Sequence, residues 1–261
     1  MWIDTHAHLS DRTGDELSEL VEEAVAADVG IVVSTGTDIS SSRIVITHCD
    51  AYPQIWGAAG ISPFDVVNLS DTWNDDLGKL LSHPKIIAVG ETGIDATNPR
   101  YPPPALQRPV FERQLALARD SGLPAVIHSR GAEEEAADLC RDLGVRQALF
   151  HCFTGGSAAL RRIVENGYYL SISGIITFPQ SDLRKLVGAV PPDRLLIETD
   201  TPYLAPVPNR GRENRPAWVR ITGEEIARLT GKSAEALSMQ IADNFRRLFT
   251  KFKPGKEPDV D

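Results

Sequence analysis

The chain has 261 residues, 42% of them hydrophobic, which is enough for one large domain with a real core. Lysine plus arginine number 27 and aspartate plus glutamate 36, so the formal charge of −9 excludes a surface that holds polyanions without specificity. Any positive charge that meets a phosphate must therefore be local. Cys49, Cys140 and Cys152 are odd in number and widely spaced, with neither a disulfide framework nor a CxxC metal pair, and a reducing, cytoplasmic compartment is expected. No basic stretch leads into a long apolar run at the N-terminus, and no window approaches the ~18 apolar residues of a membrane span, so neither export nor membrane insertion is expected.

Strand-like and helix-like segments alternate along the chain. Residues 2–6 read as a first strand, and 15–27 as a helix with Leu17, Leu20, Val21, Ala24 and Val25 at helical spacing. A buried strand at 30–36 and a helix at 40–49 come next, then a strand at 55–61, a helix at 72–81 and a fourth strand at 86–91. Residues 107–121 form a helix with Phe111, Leu115 and Ala118 on one face. Strands at 124–128, 148–151, 168–172 and 195–199 alternate with helices at 133–143, 157–166 and 182–187. Two helices, 216–229 and 233–249, close the pattern, and the charged, proline-bearing tail 251–261 is expected to fray.

Eight strands alternating with helices over this length predict an α/β fold of the (β/α)8 TIM-barrel type, with residues 1–261 as a single domain. The rival is an open doubly wound sheet. The polar residues favour the barrel. Glu91, His128, His151 and Asp200 close apolar runs on strands four, five, six and eight, and only a closed barrel brings those ends to one point with the His6/His8 pair.

In Asp4-Thr5-His6-Ala7-His8, the two histidines stand two apart on a strand and share one face. With Glu91, His128, His151 and Asp200 they make a ligand set for one or two divalent metals: imidazole suits zinc, nickel, cobalt and iron, and carboxylate also admits magnesium and manganese. His6 and His8 would hold one ion and His128 and His151 the other, with Glu91 as the shared carboxylate between them. Asp200 can ligate and also take a proton from an attacking water. This is the equipment of a metal-dependent hydrolase, with Asp200 and Glu91 as its catalytic pair. A single histidine at a strand end is more commonly a hydrogen-bonded core residue, and His48 and His83, in or beside helices, are read that way.

Arg130 comes just after the fifth strand and can clamp a phosphate through its planar fork. Arg210 and Arg212 lie after the eighth strand, where such barrels commonly bind phosphate; a solvated charged loop is the plain alternative. Thr154-Gly155-Gly156-Ser157 reads as a helix N-cap before it reads as an anion site. Cys152 reads as a packed thiol. Glu198 and Asp4 share faces with Asp200 and His6, and for each a role in orienting a ligand and a buried ion pair stay equally open.

Together these residues resemble the TatD family of metal-dependent deoxyribonucleases, within the amidohydrolase-like barrels. The resemblance rests on Asp4-Thr5-His6-Ala7-His8-Leu9, Gly90-Glu91-Thr92-Gly93-Ile94-Asp95, His128-Ser129-Arg130, His151-Cys152-Phe153-Thr154-Gly155 and Glu198-Thr199-Asp200-Thr201-Pro202-Tyr203-Leu204, and runs from residue 1 to about 250. It implies His6, His8, Glu91, His128, His151 and Asp200 as metal ligands. It also implies phosphodiester hydrolysis of DNA, typically as a 3′ to 5′ exonuclease, without a membrane or an obligate protein partner.

Two positions depart from the family pattern. Ser62, in Gly60-Ile61-Ser62-Pro63, stands where the family carries a histidine that helps position a phosphate or its oxyanion. After Asp95, where relatives tend to carry aromatic residues, this chain has Ala96-Thr97-Asn98 and then a proline-rich loop, which removes a ring on which a base can stack. These departures keep open a related barrel hydrolase acting on a small ester, amide or phosphoester. A non-catalytic protein with a structural metal is opposed by Asp200, which is placed as a base.

Overall fold

Runs such as Val32-Val33 and Ile86-Ile87-Ala88-Val89 are buried at every residue, as a parallel strand requires when helices cover one face and a barrel interior the other. The computed structural model describes residues 1–253. Eight strands pair in parallel in chain order: β1 (Trp2–Ala7), β2 (Val29–Thr35), β3 (Ile55–Ala59), β4 (Ile86–Asp95), β5 (Ala125–Arg130), β6 (Ala148–Phe150), β7 (Tyr169–Ile172) and β8 (Leu195–Ile197). The intervening helices are α1 (Gly14–Ala26), α2 (Ile39–Ala51), α3 (Trp73–Leu81), α4 (Pro104–Ser121), α5 (Glu133–Asp142), α6 (Ser157–Glu165) and a short α7 (Leu183–Leu186), and α8 (Val219–Thr230) and α9 (Ala234–Leu248) come after β8. The expected TIM barrel is the fold observed.

The seam between β8 and β1 is closed by side chains more than by a ladder. The Thr5 hydroxyl donates to the Ile197 carbonyl at 2.8 Å. The Thr199 amide and hydroxyl donate to the two oxygens of Asp4 at 2.9 and 2.6 Å. Beyond them the Asp200 amide donates to the His6 carbonyl at 3.0 Å and the His8 amide to the Thr201 carbonyl at 2.7 Å. Asp4 also accepts from the backbone amide of His6 at 3.3 Å. It is a clasp that fixes the histidine strand against the aspartate strand, and burial pushes its carboxyl up to about 8 despite the Thr199 hydrogen bonds.

Several boundaries differ from expectation. β4 runs on to Asp95, past Glu91, because Thr92-Gly93-Ile94-Asp95 stays buried and keeps pairing with β5. Glu91 thus sits inside its strand, beside a register shift between Val89 and Thr92. α4 begins at Pro104, where a proline costs no hydrogen bond. The expected helix at 182–187 shortens to α7 and then a 3-10 turn at Val187–Ala189, and α8 is preceded by a 3-10 turn at Pro216–Trp218. Of the tail expected to fray, residues 254–261 lie outside the described residues. Before them, Lys251 Nζ donates to the carbonyls of Leu81 and His83 at 2.9 and 2.8 Å, and Phe252 packs on Trp56 at 4.6 Å between ring centroids.

Candidate functional site

The two-residue period of β1 puts His6 and His8 on one side, with their Nε2 atoms 3.2 Å apart. β5 and the residue after β6 deliver a second pair, His128 Nδ1 and His151 Nε2, also 3.2 Å apart. Glu91 stands between the pairs and divides its oxygens. Oε2 lies 3.5 Å from His6 Nε2 and 3.4 Å from His8 Nε2, and Oε1 lies 3.0 Å from His128 Nδ1 and 3.5 Å from His151 Nε2. Asp200 Oδ1 reaches His6 and His8 at 3.9 and 3.5 Å, and the His6 and His151 rings stack at 3.9 Å. Asp200 itself holds φ 60°, a left-handed conformation that costs a non-glycine residue roughly 1–2 kcal/mol. All six residues expected at strand ends are brought together.

Three overlapping groups within this cluster each present ligand atoms no more than 4.8 Å apart: His6, His8 and Glu91; Glu91, His128 and His151; and His6, His151 and Asp200. Four imidazoles and two carboxylates, with nitrogens facing each other at 3.2 Å, suit one or two divalent cations. Two such nitrogens with lone pairs opposed need a proton or a cation between them. The electrostatics agree. Burial pushes the Glu91 carboxyl up, but His151, His128 and His6 outweigh it and hold it well below the usual carboxylate range. Burial pushes the His151 imidazole down, but Glu91 and Glu198 outweigh it and raise it to about 10.

A second layer holds these side chains in place. His128 turns Nε2 to Asp95 Oδ2 at 3.1 Å, and Asp95 is in turn anchored by the Thr97 and Asn98 amides at 2.8 and 2.9 Å. Glu198 lies behind His151, with Oε1 3.5 Å from Nδ1, and accepts the Ser171 hydroxyl at 2.5 Å. His8 Nδ1 faces the Thr35 carbonyl at 3.3 Å. Asp95 is the residue that sequence reasoning missed as a site member. Its signal was its spacing of four from Glu91, which on a strand carried to the register of Arg130 puts both carboxylates on one face.

The cluster forms the floor of a cavity of about 640 Å³, also lined by Arg130, Ser62, Arg100, Tyr101, Phe64 and Tyr203. That volume lies within the range of about 300–1,000 Å³ usual for small-ligand sites. Arg130 is tethered, donating to the Thr154 hydroxyl at 2.7 Å and to Cys152 Sγ at 3.4 Å. Cys152 is buried and its thiol is raised well above its ordinary value, first by burial, so it packs rather than attacks. The Ser62 hydroxyl is engaged by Asp65 Oδ2 at 2.9 Å. Arg210 and Arg212 are not among the lining residues. Arg210 lies instead over the Phe178 ring at 4.2 Å, and Arg212 is exposed in the loop. His48 and His83 lie outside the cluster, with His83 facing Asp50 at 3.2 Å. Two rings, Tyr101 after β4 and Phe64 after β3, line the cavity.

An eight-stranded parallel barrel with histidines and carboxylates gathered at the C-terminal strand ends has the build of a metal-dependent barrel hydrolase. Residues 3–250 match the TatD related DNase family, and the chain belongs to it. It is 35% identical to the uncharacterized metal-dependent hydrolase YabD of Bacillus subtilis, over 95% of this chain and 99% of that protein. It is 32% identical to the 3′-5′ ssDNA/RNA exonuclease TatD of Salmonella typhimurium, over 92% of this chain and 95% of that one. Among solved structures, the TatD homolog YJJV of Escherichia coli K12 superposes with a TM-score of 0.89 at 28% identity, covering 95% of this chain and 98% of the other. No helix of the described residues is long and apolar enough to cross a membrane.

Proposed function

We propose that this hydrolase is a divalent-metal-dependent deoxyribonuclease that removes nucleotides from the 3′ end of a DNA strand. His6, His8, Glu91, His128, His151 and Asp200 would hold one or two ions of magnesium, manganese or zinc. The observation that carries this reading is the Glu91 carboxylate, which gives one oxygen to each histidine pair at 3.0–3.5 Å. Glu91 would thus be able to serve a cation held at either histidine pair.

Cations held there supply positive charge to the phosphoryl oxygens and ready a water for attack. The chain's own residues do the rest. Burial pushes the Asp200 carboxyl up, but His8, His151 and His6 outweigh it and keep it below its ordinary value, so it is ionised at neutral pH and free to accept a proton from the attacking water. Arg130, fixed by Thr154, turns its remaining N–H groups to the cavity and can meet a phosphate oxygen. Arg100 adds a second cation at the mouth. This local pair answers the problem posed by a net charge of −9. The buried thiols Cys49, Cys140 and Cys152 suit a reducing cytoplasm.

The test uses metal-stripped protein re-supplied separately with magnesium, manganese and zinc, on end-labelled single-stranded DNA. Metal-dependent shortening is expected, and Asp200→Ala should lose on the order of 10²–10⁴-fold in kcat. Bound metal without any shortening would overturn the reading.

A further inference from the structure

A second hollow of about 530 Å³ adjoins the metal-facing cavity, and the two share Phe64, Asp65, Arg100 and Tyr101. Its lining joins apolar side chains to the polar Asp65, Asn68 and Arg100. Phe64 is 53% exposed, Val67 45% and Leu106 53%, three of the few large apolar side chains left in solvent among the described residues. Scattered apolar residues need no explanation, but three that line one groove with the ring of Tyr101 do. Phe64 and Tyr101 stand edge to face, 5.4 Å between centroids at 63°, and Tyr101 is in turn 6.1 Å from the ring of His128. A continuous aromatic path therefore leads from the floor of the cavity outward.

The groove is preformed. The side chain of Gln107 clasps Asp95, accepting from its amide at 2.7 Å and donating to its carbonyl at 2.9 Å. Asp95 caps the Thr97 and Asn98 amides, the Tyr101 amide donates to the Asn98 carbonyl at 3.1 Å, and Pro102-Pro103-Pro104 stiffens the backbone between Tyr101 and α4. A loop held this way lets a ligand bind without first ordering the protein.

We propose that this groove is the exit path of a single-stranded nucleic acid, with the bases next to the scissile phosphodiester stacking on Phe64 and Tyr101 and Arg100 meeting the backbone between them. The inference rests on the nuclease reading above and names what that reading leaves open, how the enzyme grips the strand. A strand whose end reaches the floor of a closed barrel must leave by the mouth, and this is the apolar route continuous with it. Stacking suits a chain of this charge because it grips a polyanion through π-faces rather than through lysines, and it accepts any base.

The test compares wild type, Phe64→Ala and Phe64→Trp on a short single-stranded oligothymidylate and on the same strand with abasic residues flanking the terminal linkage, with kcat and KM measured under manganese. Phe64 is exposed, so its truncation spares the core. Stacking predicts that Phe64→Ala lowers the ratio of kcat/KM for the base-bearing strand to that for the abasic strand by about 10-fold, mostly through KM, and that Phe64→Trp restores it. An unchanged ratio in Phe64→Ala, with the oligothymidylate still cleaved, overturns the groove while the nuclease reading stands. An equal loss on both strands also overturns it, because the contact is then not with bases. If wild type cleaves neither strand under any metal, both proposals fall together.

Discussion

Glu91 and His128 meet at 3.0 Å through Oε1 and Nδ1, and the opposite nitrogen of the same ring meets Asp95 at 3.1 Å. The imidazole is thus gripped from both ends. One carboxylate faces the metal-ligand cluster, and the other faces the loop that frames the cavity.

Asp95→Asn should therefore lower metal affinity more than it disturbs the fold. The amide oxygen can still accept from the Thr97 and Asn98 backbone, so the loop keeps its shape, while the negative charge behind His128 is gone. Partners of this kind tune affinity by about 10–100-fold. A competition titration with a chelating dye measures it, and affinity equal to wild type would sink the assignment of Asp95 as the residue that orients His128.

Metal loading should release protons, and affinity should rise with pH. Burial acts downward on His128 and His151, but Asp95 and Glu91 outweigh it at the first, and Glu91 and Glu198 at the second. Both imidazoles are therefore held above their ordinary value, and His151, at about 10, carries a proton on each nitrogen at pH 7 in the metal-free protein. A cation bound by His151 must displace one of them, so binding strengthens as pH rises from about 6 towards 10. The same shift contributes stability to the metal-free protein that is fully present below about pH 6.5 and is lost as pH rises through 10. Titration calorimetry in buffers of different ionisation enthalpy counts the protons, and a count of zero contradicts the idea.

Removing metal should lower thermal stability. A ligand at 100 times its Kd stabilises the folded state by about 2.7 kcal/mol, which for a chain of this size moves Tm by roughly 5–10 °C. Scanning calorimetry with and without a chelator reads the difference. An unchanged Tm at saturating zinc would mean that the six residues hold no cation.

Gly223→Ala tests how closely α8 lies on the barrel. A helix interior favours alanine over glycine by about 1 kcal/mol. Here the added Cβ would stand 2.3 Å from Cζ3 of the buried Trp2 ring at the start of β1. Overpacking of this kind costs about 1–3 kcal/mol, so a net loss of up to about 2 kcal/mol is expected in urea unfolding. A stabilised variant would show that α8 can shift away from β1.

The eight strands, the helices between them and the six residues of the cluster were legible in the sequence by itself. These are local signals: an apolar run, a two-residue alternation, a histidine or acid where the run stops. Their errors were local too, at boundaries such as β4, where a buried continuation past Glu91 looks like the start of a loop. Tertiary structure alone decided what depends on residues far apart in the chain. It placed one oxygen of Glu91 on each histidine pair, Asp95 behind His128, Glu198 behind His151 and Asp4 across the seam to Thr199. It turned Arg210 onto Phe178, out of the cavity that the sequence had suggested for it, and it set Phe64 beside Tyr101 although the whole of α3 and β4 separates them in the chain. The type of side chain and its spacing fix which chemistry is available, whereas the closure of the barrel fixes which groups meet, because strand ends distant in sequence become neighbours only when the sheet curls shut.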